Sequence, residues 1–157
     1  MSKFKRGTGK GMPAISTASL PDIVFMLLFF FMVTTVMRET TLEIDINPPD
    51  ATEVKKMDKK SLISYIYIGP PIESQQVNFG PAARIQLNDR TFSRKEVGEI
   101  QYFIISEREA KHEKDRPYMT TSIKADENVT MGIITDVKTE LRKVNALKIN
   151  YSTKKRD

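Results

Sequence analysis

Ser19-Leu20-Pro21-Asp22-Ile23-Val24-Phe25-Met26-Leu27-Leu28-Phe29-Phe30-Phe31-Met32-Val33-Thr34-Thr35-Val36-Met37 is the stretch on which the reading of this chain turns. From Ile23 to Val33 all 11 residues are apolar, and one ionisable side chain, Asp22, stands at the head of the run. Leu20 through Met37 makes 18 residues. As a helix that is about 27 Å long, close to a hydrocarbon thickness of roughly 30 Å. A core helix of a soluble domain would carry a polar face, and this run has none. A cleaved signal peptide would share the basic start and the length of the apolar run, but it would end in an A-x-A-like site. Val33-Thr34-Thr35 is a poor substitute, and Pro21 and Asp22 are out of place in a signal. Thr34 and Thr35 can return their hydroxyls to the backbone and so interrupt a span little. The pattern predicts a retained transmembrane helix over 20–38.

Charge orients that helix. The chain of 157 residues carries a formal charge of +5. Lys3, Lys5, Arg6 and Lys10 precede the span with no acid among them, which leaves 21 basic residues against 20 acidic ones in the rest. Just beyond the span Arg38 is accompanied by Glu39, Glu43, Asp45 and Asp50. The positive-inside rule then puts a basic tail, 1–19, in the cytoplasm and everything after residue 38 across the membrane. Because the excess charge is terminal, the distal part offers no basic stripe of the kind that binds nucleic acid.

Asp22 has two readings. In the structural one, Ser19 caps the helix, Pro21 follows in the first turn, and an acid three residues past the cap favours the positive end of the helix dipole. In the functional one, Asp22 carries a proton. A carboxylate at a helix centre in lipid costs about 2.5–3.5 kcal/mol, and moving one charge through the membrane potential yields about 2.3 kcal/mol per 100 mV. Neutralising one carboxylate is therefore comparable in energy to the field that drives it. Met26, Phe29/Phe30, Val33 and Met37 share its face by i, i+3/i+4 spacing.

The remainder reads as an extended linker over 39–60 and a small α+β domain over 61–152, with a solvated tail at 153–157. The linker contains Pro48-Pro49 and Lys55-Lys56, although Thr41–Ile46 alternates enough to allow a short strand. In the domain, Leu62–Ile68 and Arg84–Leu87 are strand-like, and Asn88-Asp89 can turn into Thr91-Phe92. Ser93-Arg94-Lys95-Glu96 is a capping box, opening a helix with Val97, Ile100, Phe103 and Ile104 inward. Tyr118–Lys124 favours strand and Asp126-Glu127-Asn128 a turn. A second helix after Thr130 turns Ile133, Ile134, Val137, Leu141 and Val144 inward, and Leu147–Tyr151 alternates as a last strand. The layout is strands, helix, strand, helix, strand.

Catalytic signatures are missing from the sequence. There is no cysteine, and the one histidine, His112, sits in a charged run that suits a solvated helix end. Neither a P-loop nor a dinucleotide glycine pattern occurs, so an enzyme is not expected.

The apolar run ending in Phe31-Met32-Val33 after Asp22, between a basic N-terminus and a distal domain, resembles the ExbD/TolR family. The likeness extends to the distal half through Ile123-Lys124-Ala125-Asp126, Val129 and Leu147-Lys148-Ile149. Pro21 directly before Asp22, Phe29-Phe30-Phe31, and the insertion from Gly69 to Ala83 depart from the family pattern. The resemblance implies a single-pass inner-membrane stator subunit with a periplasmic domain, in which Asp22 binds protons. It implies no other cofactor and no metal. Implied partners are a ring of a polytopic ExbB-like protein around two copies of this helix, and a TonB-like protein that receives the force for outer-membrane transport. Thr34 and Thr35 become candidate proton-path or helix-contact residues. A TolR-like subunit gripping peptidoglycan to stabilise the envelope is the near alternative. A passive membrane-anchored binding module, with Asp22 only a cap, is the alternative of another class. A flagellar-type stator is disfavoured by the shortness of the distal domain.

Overall fold

A computed structural model describes residues 9, 11, 17–34 and 40–156. Two compact units result, one before and one from Thr40. The first holds a 3-10 turn, Thr17–Ser19, running directly into α1, Leu20–Thr34. Pro21 falls in the first turn, where a missing N–H costs nothing. No glycine or further proline interrupts the helix. Every side chain of α1 is exposed, including Phe25 (75 %) and Met32 (79 %). A cylinder of uncovered Phe, Leu and Met is far larger than the apolar patches tolerated in water, and the 18 residues Thr17–Thr34 are long and apolar enough to cross a membrane. The predicted span continued to residue 38; residues 35–38, like most of the predicted tail 1–19, lie outside the described residues.

The second unit is a five-stranded sheet with its two longer helices on one face, the α+β class expected. In chain order it comprises β1 (Asp50–Ala51), β2 (Ile63–Gly69), α2 (Glu73–Phe79), β3 (Arg84–Leu87) and β4 (Arg90–Phe92). These are followed by α3 (Glu99–Glu109), β5 (Thr120–Ala125), α4 (Met131–Lys143), β6 (Ile149–Tyr151) and β7 (Lys154–Lys155). The sheet order is β4-β3-β2-β5-β6. β4, β3 and β2 pair antiparallel, whereas β2, β5 and β6 run parallel, joined by crossovers through α3 and α4. Ile66 and Ile68 of β2, Ile85 and Leu87 of β3, and Ile123 and Ala125 of β5 face Ile100, Ile104, Ile133, Ile134, Val137 and Leu141 of the two helices in one core. Val97, Phe103 and Val144, expected inward, pack at its rim.

Local signals explain the ends of these elements. The Ser93 N–H donates to the Glu96 carboxylate at 3.0 Å, and the box opens a 3-10 turn, Arg94–Glu96, with α3 starting at Glu99. Asn88 makes the β3–β4 turn at φ +51°, a conformation asparagine tolerates. The insertion after Gly69 contains α2, ended by Gly80 at φ +76°. Arg84 lies 4.6 Å over the Phe79 ring and donates to its carbonyl.

The folded unit begins about twenty residues before the expected domain boundary at 61. Within the stretch predicted as linker, residues 40–51 form a strap across the sheet face opposite the helices. Ile44 is 2 % exposed and bridges Pro71, with Asp45 N–H donating to Pro70 O (2.8 Å) and Ile72 N–H to Glu43 O (3.0 Å). The alternation over 41–46 is thus used as a single bridge, not as a strand. The tail expected to be solvated also pairs through its backbone: β7 lies parallel to β1 in register Asp50↔Lys154 and Ala51↔Lys155. The lysine side chains remain exposed. The Lys154 ammonium makes a close contact with the Asn47 side-chain oxygen, tying the tail to the strap.

Candidate functional site

In α1, Asp22 lies in the first α-helical turn and is the one ionisable side chain between Leu20 and Thr34. The preceding 3-10 turn carries the helical path back to Thr17, so Asp22 sits roughly 8 Å in from the start of that path. Thr34 closes the described helix. Its hydroxyl donates to the Phe30 carbonyl at 2.7 Å and reaches that of Phe31 at 3.3 Å, so its proton is satisfied within the helix. Thr35 lies outside the described residues.

The helix does not bring the two residues together. Twelve positions separate Asp22 from Thr34, about 18 Å along the axis and about a third of a turn around it. A proton passing between them would need groups supplied by other chains or by water. Met26, Phe29, Phe30 and Val33, on or beside the Asp22 face, are all exposed and provide no hydrogen-bonding partner. The helix alone therefore offers no hydrogen-bonded route between Asp22 and Thr34.

A second polar constellation, which the sequence reading missed, locks the strap. Gln86, fully buried in β3, accepts the Glu43 N–H at 2.9 Å and donates to the Asn88 carbonyl at 2.8 Å and to that of Thr41. Thr91 Oγ1 donates to the Glu43 carboxylate at 2.7 Å. At the far end of the strap Asp126 accepts the N–H groups of Asn47 (2.9 Å) and Asn128 (3.0 Å). Burial pushes the Asp126 carboxyl up, but these backbone donors outweigh it and hold it below the usual carboxylate range. A buried glutamine between Ile85 and Leu87 was the available signal, since a side chain of that kind must find partners.

Between α3 and α4 the nearly buried Glu140 receives Lys143 at 2.7 Å and a close contact from Gln101. The hydrogen bonds from Lys143 and then Gln101 hold its carboxyl low. On the strap side of the sheet Lys124 Nζ lies 4.6 Å over Tyr65 and 5.4 Å over Tyr67. Burial, and then the neighbouring Tyr65, push the Tyr67 phenol up. Among the described residues no cluster of His, Asp and Glu is placed to hold a metal ion. His112 is exposed at the end of α3.

The family model described as Biopolymer transport protein ExbD/TolR matches residues 9–156. No curated protein and no solved structure matches the chain.

Proposed function

The chain belongs to the ExbD/TolR family of biopolymer transport proteins, and on that premise we propose that it is a proton-driven stator subunit whose proton carrier is Asp22. Family membership and the apolar α1 make it a single-pass membrane protein of an energy-transducing transport complex. Members of the family are non-enzymatic and work beside membrane partners. In the proposed arrangement the protein sits in the inner membrane with its N-terminus in the cytoplasm and the sheet domain in the periplasm. Two copies of α1 stand inside a ring of an ExbB-like protein, and the sheet domain passes force to a TonB-like protein that drives outer-membrane uptake. Protons are the only ligand this role requires, and the chain itself catalyses no covalent chemistry.

The observation that supports this reading is the isolation of Asp22 on a helix otherwise wholly apolar from Leu20 to Val33. A charge there is tolerated only with a polar partner, and a proton removes that need. The partner ring must supply the onward path that α1 lacks. Asp22→Asn keeps size and first-turn hydrogen bonding but cannot titrate. It is expected to insert normally and to abolish uptake that depends on the proton gradient. Uptake at the wild-type rate in the Asn variant would reduce Asp22 to a helix cap and the protein to a passive anchor.

A further inference from the structure

Three cations converge on one hollow of the distal unit with no counter-ion among the described residues. The hollow, about 280 Å³, lies between the end of α3, the turn at 116–119 and the turn at 145–148, and is lined by Arg108, Arg116 and Lys148 together with Thr121, Asn145 and Leu147. No acid lines it. This is unexpected in a unit whose charges otherwise nearly balance.

Each cation is held in place by a neutral acceptor. Arg108 Nη2 donates to the Val144 carbonyl at 2.9 Å, at the end of α4. Arg116 Nε donates to the Arg108 carbonyl at 3.1 Å and to that of Lys111 at 3.3 Å, at the end of α3. Lys148 Nζ donates to the Pro117 carbonyl at 2.7 Å and lies 5.4 Å over the Tyr118 ring. None of the three meets a carboxylate among the described residues.

Capping accounts for part of this charge. Each helix C-terminus presents about −0.5 of an elementary charge. Two of them offset one of the three cations, and about two positive charges remain. Donors remain as well. A guanidinium has five N–H groups and an ammonium three, whereas the bonds above use one N–H from each side chain. Fixed donors of one sign, immobilised before any ligand arrives, are what an anion site requires. One arginine satisfies a carboxylate in a bidentate pair, whereas several cations around one hollow match a tetrahedral phosphate group, whose oxygens point in several directions and can each take a donor. Thr121 and Asn145 add neutral hydrogen-bonding capacity, and the exposed Leu147 gives the mouth an apolar lip.

We propose that this hollow binds a phosphate group, presented either by a phospholipid headgroup or by a soluble phosphate ester. The site is separate from Asp22, so Asp22→Asn leaves it intact and the two readings fail independently.

The test uses the full chain in nanodiscs of zwitterionic lipid. Glycerol phosphate is titrated against sodium chloride at matched ionic strength, and protection of the amides of Arg116, Tyr118, Met119 and 145–148 is followed by hydrogen exchange. A parallel set of discs contains phosphatidylglycerol. Saturable protection by glycerol phosphate identifies a soluble ester, and protection confined to the phosphatidylglycerol discs identifies a headgroup. Lys148→Gln can keep the bond to Pro117 while removing a charge, and is expected to weaken binding about tenfold. Arg108→Gln is the second variant, with its melting temperature as the folding control. Protection no greater than in chloride under both conditions overturns the proposal, as does unchanged affinity in both folded variants.

Discussion

Replacing Gly69 by alanine puts a methyl group where the backbone of the strap already runs. A Cβ built on Gly69 falls well inside contact distance of the Asp45 carbonyl oxygen. That oxygen belongs to backbone, which cannot swing aside as a side chain tip would. To restore an ordinary C···O approach of roughly 3.3 Å the strap must retreat by about 1 Å. The two backbone bonds flanking the clash, Asp45 N–H to Pro70 and Ile72 N–H to Glu43, measure 2.8 and 3.0 Å and would be stretched beyond use. At about 1 kcal/mol each they total about 2 kcal/mol, which agrees with the roughly 1–3 kcal/mol usual for overpacking. Two kcal/mol corresponds to about thirtyfold in the opening equilibrium. The expected outcome is hydrogen exchange about thirtyfold faster at the amides of Asp45 and Asn47, with the β5 amides unchanged. Equal protection of the strap in the alanine variant would show that residues 40–51 are not held against β2 as described.

Asp126→Asn tests the other end of the strap. An amide cannot accept the Asn47 and Asn128 N–H groups on both of its heteroatoms, and losing one charge-assisted bond should cost about 1.5–3 kcal/mol near neutral pH. Because the folded carboxyl lies below its unfolded value of about 3.9, the contribution is fully present above that value. It fades as pH falls through the lower, folded one. Melting curves of wild type and variant should therefore differ at pH 7 and converge in strong acid; a gap constant with pH refutes the assignment. Leu141→Ala, at a fully buried position of α4, should lower stability by about 2–5 kcal/mol by denaturant titration, and a loss below 1 kcal/mol would contradict its place in the core.

Much of this architecture is readable in sequence because it is local. The apolar run needs no partner to be recognised, and the helix faces of α3 and α4 repeat every three to four residues. The strands announce themselves through Ile and Tyr alternation bounded by Gly69 and Asn88. Asp22 stands out because the eleven residues that follow it are all apolar. The strap was missed for the converse reason. Its contacts join Asn47 to Asp126 and Glu43 to Gln86 and Thr91, and a polar segment with one buried isoleucine and two prolines looks like any tether until its acceptors are located. The basic hollow was equally hidden, because Lys148 lies over thirty residues beyond Arg108 and Arg116 and each looks like an ordinary surface charge. Thr34 became a candidate through the family resemblance, and helical geometry sets it about a third of a turn from Asp22.

The parallel pairing of Asp50 with Lys154 also sets an order of assembly. Those partners lie at opposite ends of the sheet domain in sequence, so their bonds cannot form until everything between them has left the ribosome. Closing so long a loop before the sheet exists would cost entropy that two short strands cannot repay. The clasp must therefore shut last, on a sheet already built. Refolding followed at residue 50 should lag behind the signal from β5.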